Sequence, residues 1–188
     1  MNINLLDNAE AKQLQQLIIE AEHIVICAHK SPDGDALGSS LAWKSYLNQI
    51  GKTDVTVCMP DAYPDFLQWL PEANTVLRYD KNPEKVQETF NRADLVCCLD
   101  FNQYARVEAM RSTLEGCKAK RILIDHHLEP QTDNAITISQ PNMSSTSEMI
   151  FYIISQLGGY NDMTKDCAQC IYCGMMTDTG GFTYNSTR

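Results

Sequence analysis

Three short apolar runs constrain this chain most: HIVICA at 23–28, LVCCL at 95–99 and RILI at 121–124. Each is too short to make a useful helix, and none alternates apolar with polar residues as a half-exposed strand does. Such runs fit strands covered on both faces, which is the signature of a parallel sheet. Helical patterns lie between them. Asp7 and Glu10 form a capping box before an apolar stripe of Leu14, Leu17, Ile18 and Ala21. A helix is expected from Ala36 to about Gln49, ended by Gly51, with a strand from Val55 to Met59 after it. A helical stretch follows Asp100 through Leu114. Ser145-Thr146-Ser147-Glu148 opens a helix through Leu157 that Gly158-Gly159 ends, and a last helix runs from Thr164 to about Met175. The expected fold is α/β, one domain over residues 1–188, with a mostly parallel central sheet and helices on both faces.

Composition narrows the function. Fifteen Lys and Arg against 24 Asp and Glu leave a net charge of −9, so the chain as a whole is no basic cushion for long duplex nucleic acid. A phosphate ligand would have to be held locally. No run approaches the roughly 18 apolar residues of a membrane span. The start of the chain lacks the basic and apolar regions of a secretory signal, so the cytoplasm is the expected compartment. Of the eight cysteines, Cys27, Cys97 and Cys98 sit in the apolar runs, where a free thiol behaves as a small hydrophobe. Asn142-Met143-Ser144 and Asn185-Ser186-Thr187 match the glycosylation pattern, which carries no meaning without secretion.

Acids and histidines fall where the strands end. His29-Lys30-Ser31-Pro32-Asp33-Gly34-Asp35 lies between the first strand and its helix, and its proline and glycine allow a loop in which two carboxylates and a histidine converge on a hard cation. The same P-D-G is also ordinary turn chemistry. Asp100 closes the second run and Asp125-His126-His127 the third, so three of the four histidines stand at strand ends. Repetition of that placement favours a site over turns, because ligands of parallel sheets sit beyond the carboxyl ends of the strands. Asp178 is expected just past the last helix, in Thr177-Asp178-Thr179-Gly180-Gly181. Lys30 and Arg106 could touch phosphate or simply be solvated.

Together, H-x-x-P-D-G-D-A-L-G from His29, the strand-end Asp100, D-H-H at 125–127 and D-T-G-G-F from Asp178 resemble the motifs of the DHH phosphoesterase superfamily, in the same order. Within it the pattern is most similar to the oligoribonuclease (nanoRNase) and pAp phosphatase branch, described as exopolyphosphatase-related, and less to the long RecJ-like exonucleases. Members of that branch carry a second, C-terminal DHHA1 domain with a glycine- and histidine-rich substrate motif. This chain reaches Arg188 without one, so it is expected to be a fragment comprising the DHH catalytic domain.

The resemblance implies a hydrolase acting on short oligoribonucleotides or 3′-phosphoadenosine 5′-phosphate through two metal ions. His29, Asp33 and Asp100 would hold one ion, and Asp35, Asp100, His126 and Asp178 the other, with Asp100 bridging. His127 would face the substrate and stabilise the transition state. Asp125 would accept a hydrogen bond from an imidazole or serve only as a strand end. Mixed imidazole and carboxylate ligands suit two Mn²⁺, with Mg²⁺ or Co²⁺ as alternatives. The helix beginning near Ala36 could add phosphate-binding amides, although its small residues equally suit close packing. A homodimer is left open.

Three other readings compete. Pyrophosphate, polyphosphate or a cyclic dinucleotide is the nearest alternative substrate, and a scaffold that has lost catalysis is a second reading. The third is an iron–sulfur redox protein, because Cys167-x-x-Cys170-x-x-Cys173 imitates a ferredoxin run. Its fourth ligand fails, since Gly174-Met175-Met176-Thr177 stands where the final Cys-Pro belongs, and the run carries apolar residues at helical spacing.

Overall fold

The computed structural model describes residues 3–131 and 133–184, so Asn185-Ser186-Thr187 lies outside the described residues. Six strands form one sheet: β1 (His23–Cys27), β2 (Asp54–Met59), β3 (Leu77–Arg78), β4 (Leu95–Leu99), β5 (Lys120–Asp125) and β6 (Ile136–Ser139). All pairings are parallel, in the order β3-β2-β1-β4-β5-β6. The α-helices are α1 (Asn8–Glu20), α2 (Gly34–Gln49), α3 (Pro83–Arg92), α4 (Arg111–Gly116), α5 (Thr146–Gln156) and α6 (Lys165–Asp178).

Both faces of the sheet are covered, which is why its inner strands lack alternation. Ile24 and Ile26 face a core built with α1, α2, α5 and α6, while Val25 and Cys27 face a smaller core with α3, α4 and the three-ten turns of Tyr104–Met110. The cysteines of the ferredoxin-like spacing belong to the first core. Cys167, Cys170 and Cys173 are buried along one side of α6, and burial pushes the thiols of Cys167 and Cys170 up to about 11 and about 12. Their spacing is that of a packed helix face.

Close packing of α2 on α6 positions the site. A Cβ at Gly38 would lie 2.6 Å from the Cys170 carbonyl oxygen and 3.0 Å from the Gly174 nitrogen. Gly38 therefore lets two helix backbones approach, while the bare face of Gly174 makes room for the side chains of Ser147 and Asp35.

Three boundaries differ from the sequence reading. The helix α2 begins at Gly34, because Asp33 caps it by accepting from the amides of Asp35 and Ala36. The stretch after Asp100 is mostly three-ten, broken at Glu108 with φ 41° and ψ −110°, before the short α4. The last helix continues past Met175, so Asp178 is its final residue rather than part of the following loop.

Candidate metal centre

The strand order reverses between β1 and β4, and the connections that follow them, α2 after β1 and the three-ten turns with α4 after β4, lie on opposite faces of the sheet. In open parallel sheets that is where a crevice forms. His29 follows β1 and Asp100 follows β4, so both stand at the crevice. Asp33 and Asp35 enter from the start of α2, Asp125, His126 and His127 from the end of β5, and Asp178 from the end of α6.

These elements bring the donors together. His29 Nε2 lies 3.4 Å from Asp100 Oδ2 and 3.9 Å from Asp33 Oδ2. His126 Nε2 lies 3.6 Å from Asp100 Oδ1, 3.6 Å from Asp178 Oδ2 and 3.9 Å from Asp35 Oδ2. Asp100 thus turns one oxygen toward each imidazole. Its backbone stands at φ 63°, a left-handed conformation unusual for a residue with a side chain, and strain of that kind persists where the surroundings enforce it.

Hydrogen bonds aim the ligand atoms. His29 Nδ1 is 2.7 Å from the Lys30 carbonyl oxygen, and His126 Nδ1 is 3.3 Å from that of Met143. A carbonyl only accepts, so each Nδ1 carries the proton and each Nε2 presents its lone pair to the carboxylates. Asp125 serves the other histidine: its Oδ1 accepts from His127 Nδ1 at 2.6 Å and its Oδ2 from the His127 amide at 3.0 Å. That pair raises the His127 pKa.

Two hydrogen-bonding residues are absent from the motifs. Thr146 donates its amide to Asp35 Oδ2 at 2.7 Å and its hydroxyl to Asp100 Oδ1 at 2.9 Å, while the Ser147 amide donates to Asp35 Oδ1 at 2.8 Å. The N-terminus of α5 therefore holds the Asp35 carboxylate. In the sequence, Ser145-Thr146-Ser147-Glu148 reads only as a helix start; the unbroken run of hydroxyl residues from Ser144 to Ser147 was the available signal, and the structure buries it. The amides at the start of α2, by contrast, are already taken by Asp33 Oδ1 at 3.0 Å each, which leaves them unavailable to a phosphate.

Electrostatics favours a cation. Asp35 and Asp100 are buried, and among the described residues neither they nor Asp33 and Asp178 pair with a lysine or arginine. Burial pushes the Asp100 carboxyl well above the ordinary carboxylate range, and the charges of Asp35 and Asp33 push it the same way. Burial also raises Asp35, against the hydrogen bonds it receives. Asp178 is pushed up to about 6, first by burial and then by Asp35. Three donor groups are close enough to share an ion: His29, Asp33 and Asp100; Asp35, His126 and Asp178; and Asp100, His126 and His127. Oxygen and imidazole nitrogen suit a hard or borderline divalent cation, so these residues fit one.

Known proteins are similar to this chain in sequence and fold. Residues 23–175 match the model of the DHH family, N-terminal domain. The bifunctional oligoribonuclease and PAP phosphatase NrnA of Thermus thermophilus is 32% identical over 164 residues, 87% of this chain and 45% of that protein. An exopolyphosphatase-related protein of Bacteroides fragilis superposes with a TM-score of 0.96 at 43% identity, over 99% of this chain and 54% of that one. A manganese-bound exonuclease RecJ, at 16% identity and a TM-score of 0.56, covers 98% of this chain and 47% of its own and shares the fold. The chain spans about half the length of the curated relatives it matches.

Proposed function

This chain belongs to the DHH family, and from that premise we propose that it is the DHH catalytic domain of a divalent-metal-dependent phosphoesterase acting on short oligoribonucleotides or 3′-phosphoadenosine 5′-phosphate. The placement of Asp100 carries the reading, with one carboxylate oxygen toward His29 and the other toward His126. Kinship with the NrnA protein supports the substrate class, and the manganese held by RecJ supports Mn²⁺.

His29, Asp33 and Asp100 would hold one ion, and Asp35, Asp100, His126 and Asp178 a second. Two such cations supply charge neutralisation at the phosphoryl oxygens and a water acidic enough to serve as hydroxide near neutral pH. The chain's residues do the positioning. Thr146 fixes Asp35 and Asp100 relative to each other. The backbone carbonyls of Lys30 and Met143 fix the tautomers of His29 and His126. Asp125 accepts from His127 Nδ1 and raises the His127 pKa, which favours the imidazolium; in that form Nε2 would donate a hydrogen bond to a phosphoryl oxygen. In this reading a DHHA1 domain recognises the organic part of the substrate.

The test is a panel of short oligoribonucleotides, pAp, pyrophosphate and cyclic dinucleotides assayed with Mn²⁺. Hydrolysis of the first two above the others is expected. A preference for pyrophosphate or a cyclic dinucleotide would reassign the substrate.

A further inference from the structure

The backbone carbonyls that meet His29 and His126 each belong to a peptide unit that also carries an amide, and both amides donate to a carboxylate. For His29 the unit is Lys30–Ser31. Its oxygen lies 2.7 Å from His29 Nδ1, and its N–H donates to Asp61 Oδ1 at 2.7 Å. For His126 the unit is Met143–Ser144. Its oxygen lies 3.3 Å from His126 Nδ1, and its N–H donates to Glu148 Oε2 at 2.8 Å. We infer that Asp61 and Glu148 are positioning residues of the metal centre, each acting on its histidine through one peptide unit. The inference rests on the metal centre of the proposed phosphoesterase and extends it to two carboxylates outside the sequence motifs.

The chain brings each carboxylate to its peptide by a different route. Cys27 of β1 stands opposite Cys58 of β2, so Asp61, three residues past Cys58, comes beside the loop that follows β1. Ser31 in that loop holds φ 53°, a left-handed conformation that persists in a residue with a side chain where the surroundings enforce it. The Asp61 bond to the Ser31 amide is one such hold, and the Lys30 amide, donating to the Arg106 carbonyl at 2.9 Å, is another. Glu148 lies in the first turn of α5, buried together with Met143 and Ser144, and its Oε2 also accepts from the Ser144 hydroxyl at 2.7 Å. Anchoring a loop or capping a helix accounts for an acid near each segment. It does not account for the choice of amide, which in both cases shares a plane with the oxygen that meets the imidazole.

A planar peptide transmits both direction and charge. Pinning the N–H fixes where the lone pairs of the oxygen point. An anion on the N–H also polarises the group, so that the oxygen accepts more strongly, by about 10–30% per bond in such chains. Both effects hold the proton on Nδ1 and leave Nε2 bare, which is the tautomer that a ligand to a cation needs. All three histidines of the site are thus backed by an acid: His127 by Asp125 directly at 2.6 Å, His29 and His126 through one peptide each.

Nitrogen NMR of the metal-free chain, labelled at histidine, tests this at about pH 9, where free imidazole is neutral. Long-range nitrogen–proton spectra tell a protonated ring nitrogen from a bare one, and His29→Gln and His126→Gln assign the signals. Both rings should carry the proton on Nδ1 in the wild type. Asp61→Ala should raise the Nε2–H share of His29 and leave His126 as it is. Glu148→Gln, which keeps the shape of a buried side chain, should do the converse. Asp61→Asn, which retains an acceptor oxygen, should fall between Asp61→Ala and the wild type. A role in folding alone would move Tm without singling out one ring. Asp61 is only half-buried, so its variants decide the matter even where Glu148→Gln does not fold. Mn²⁺ affinity, measured by calorimetry, should drop by about tenfold in Asp61→Ala and in Glu148→Gln, the lower end of the loss when a partner of a metal ligand is removed. An unchanged tautomer, or a change at the other histidine, would overturn the assignment of that carboxylate. A wild-type chain that binds no Mn²⁺ would sink the metal centre instead, while the metal-free spectra still judge Asp61 and Glu148.

Discussion

Thr146 ties its hydroxyl to Asp100 at 2.9 Å, and through its amide the same residue holds Asp35 at 2.7 Å. One residue at the head of α5 therefore sets the spacing of the two buried carboxylates proposed as metal ligands. Thr146→Val keeps the shape and the amide but removes the hydroxyl. We expect Mn²⁺ affinity to fall by about 10- to 100-fold, the usual effect of losing a hydrogen bond to a ligand, with the fold unchanged. Titration calorimetry with circular dichroism checks it; wild-type affinity would show that the hydroxyl does not orient Asp100.

The raised acids predict a pH dependence. A carboxyl whose pKa is higher folded than unfolded binds more protons in the native state, so its contribution to stability falls as pH rises between the two values. For Asp178 that window runs from its ordinary 3.8 to about 6, and Asp35 and Asp100 shift in the same direction. Chelated protein should lose Tm across this window relative to Asp178→Asn, and Mn²⁺ should raise Tm more at pH 7 than at pH 5, because bound cations take the place of protons. Melting curves that coincide for the two proteins, or ignore Mn²⁺, would contradict it.

His127 and His126 should part company. His127→Ala is expected to retain Mn²⁺ while turnover of the intact enzyme drops by about 100-fold or more, since only a contact with developing phosphoryl charge is removed. His126→Ala should lose metal as well as rate. Asp125→Asn should lower the His127 pKa, read from its imidazole resonances, because the hydrogen-bonded carboxylate raises it. Loss of an ion from His127→Ala would instead make that residue a ligand.

Gly174 should tolerate no side chain. A Cβ there would collide with Ser147, 2.7 Å from its Cβ, and would come within 2.9 Å of Asp35 Oδ1. Overpacking of this kind typically costs about 1–3 kcal/mol. Gly174→Ala should therefore lower both Tm and Mn²⁺ affinity, whereas Gly116→Ala, which meets nothing within 4 Å, should lower neither.

How much of this was legible in the sequence depended on burial. The strands β1, β4 and β5 show as apolar runs because helices cover both their faces, and acids or histidines at their ends mark the crevice. The edge strands do not show: β3 is two residues long, and β6 alternates buried with half-buried positions over only four. The helix α3, with a proline in its first turn and only Val86 and Phe90 buried, left too thin a stripe to read. Thr146 escaped because its role is tertiary, met through Asp35 and Asp100, 111 and 46 positions away. Asp33 was legible as a candidate ligand but not as the helix cap it also is, since one carboxylate can do both with different oxygens.

The central claim is that Asp100 is shared by two ions. Equilibrium dialysis of the metal-free chain against Mn²⁺, wild type beside Asp100→Asn, tests it directly. The account predicts two ions per wild-type chain and a loss of affinity at both sites in the variant, because a neutral amide is a poor bridge between cations. Two ions bound to Asp100→Asn with wild-type affinity would contradict it.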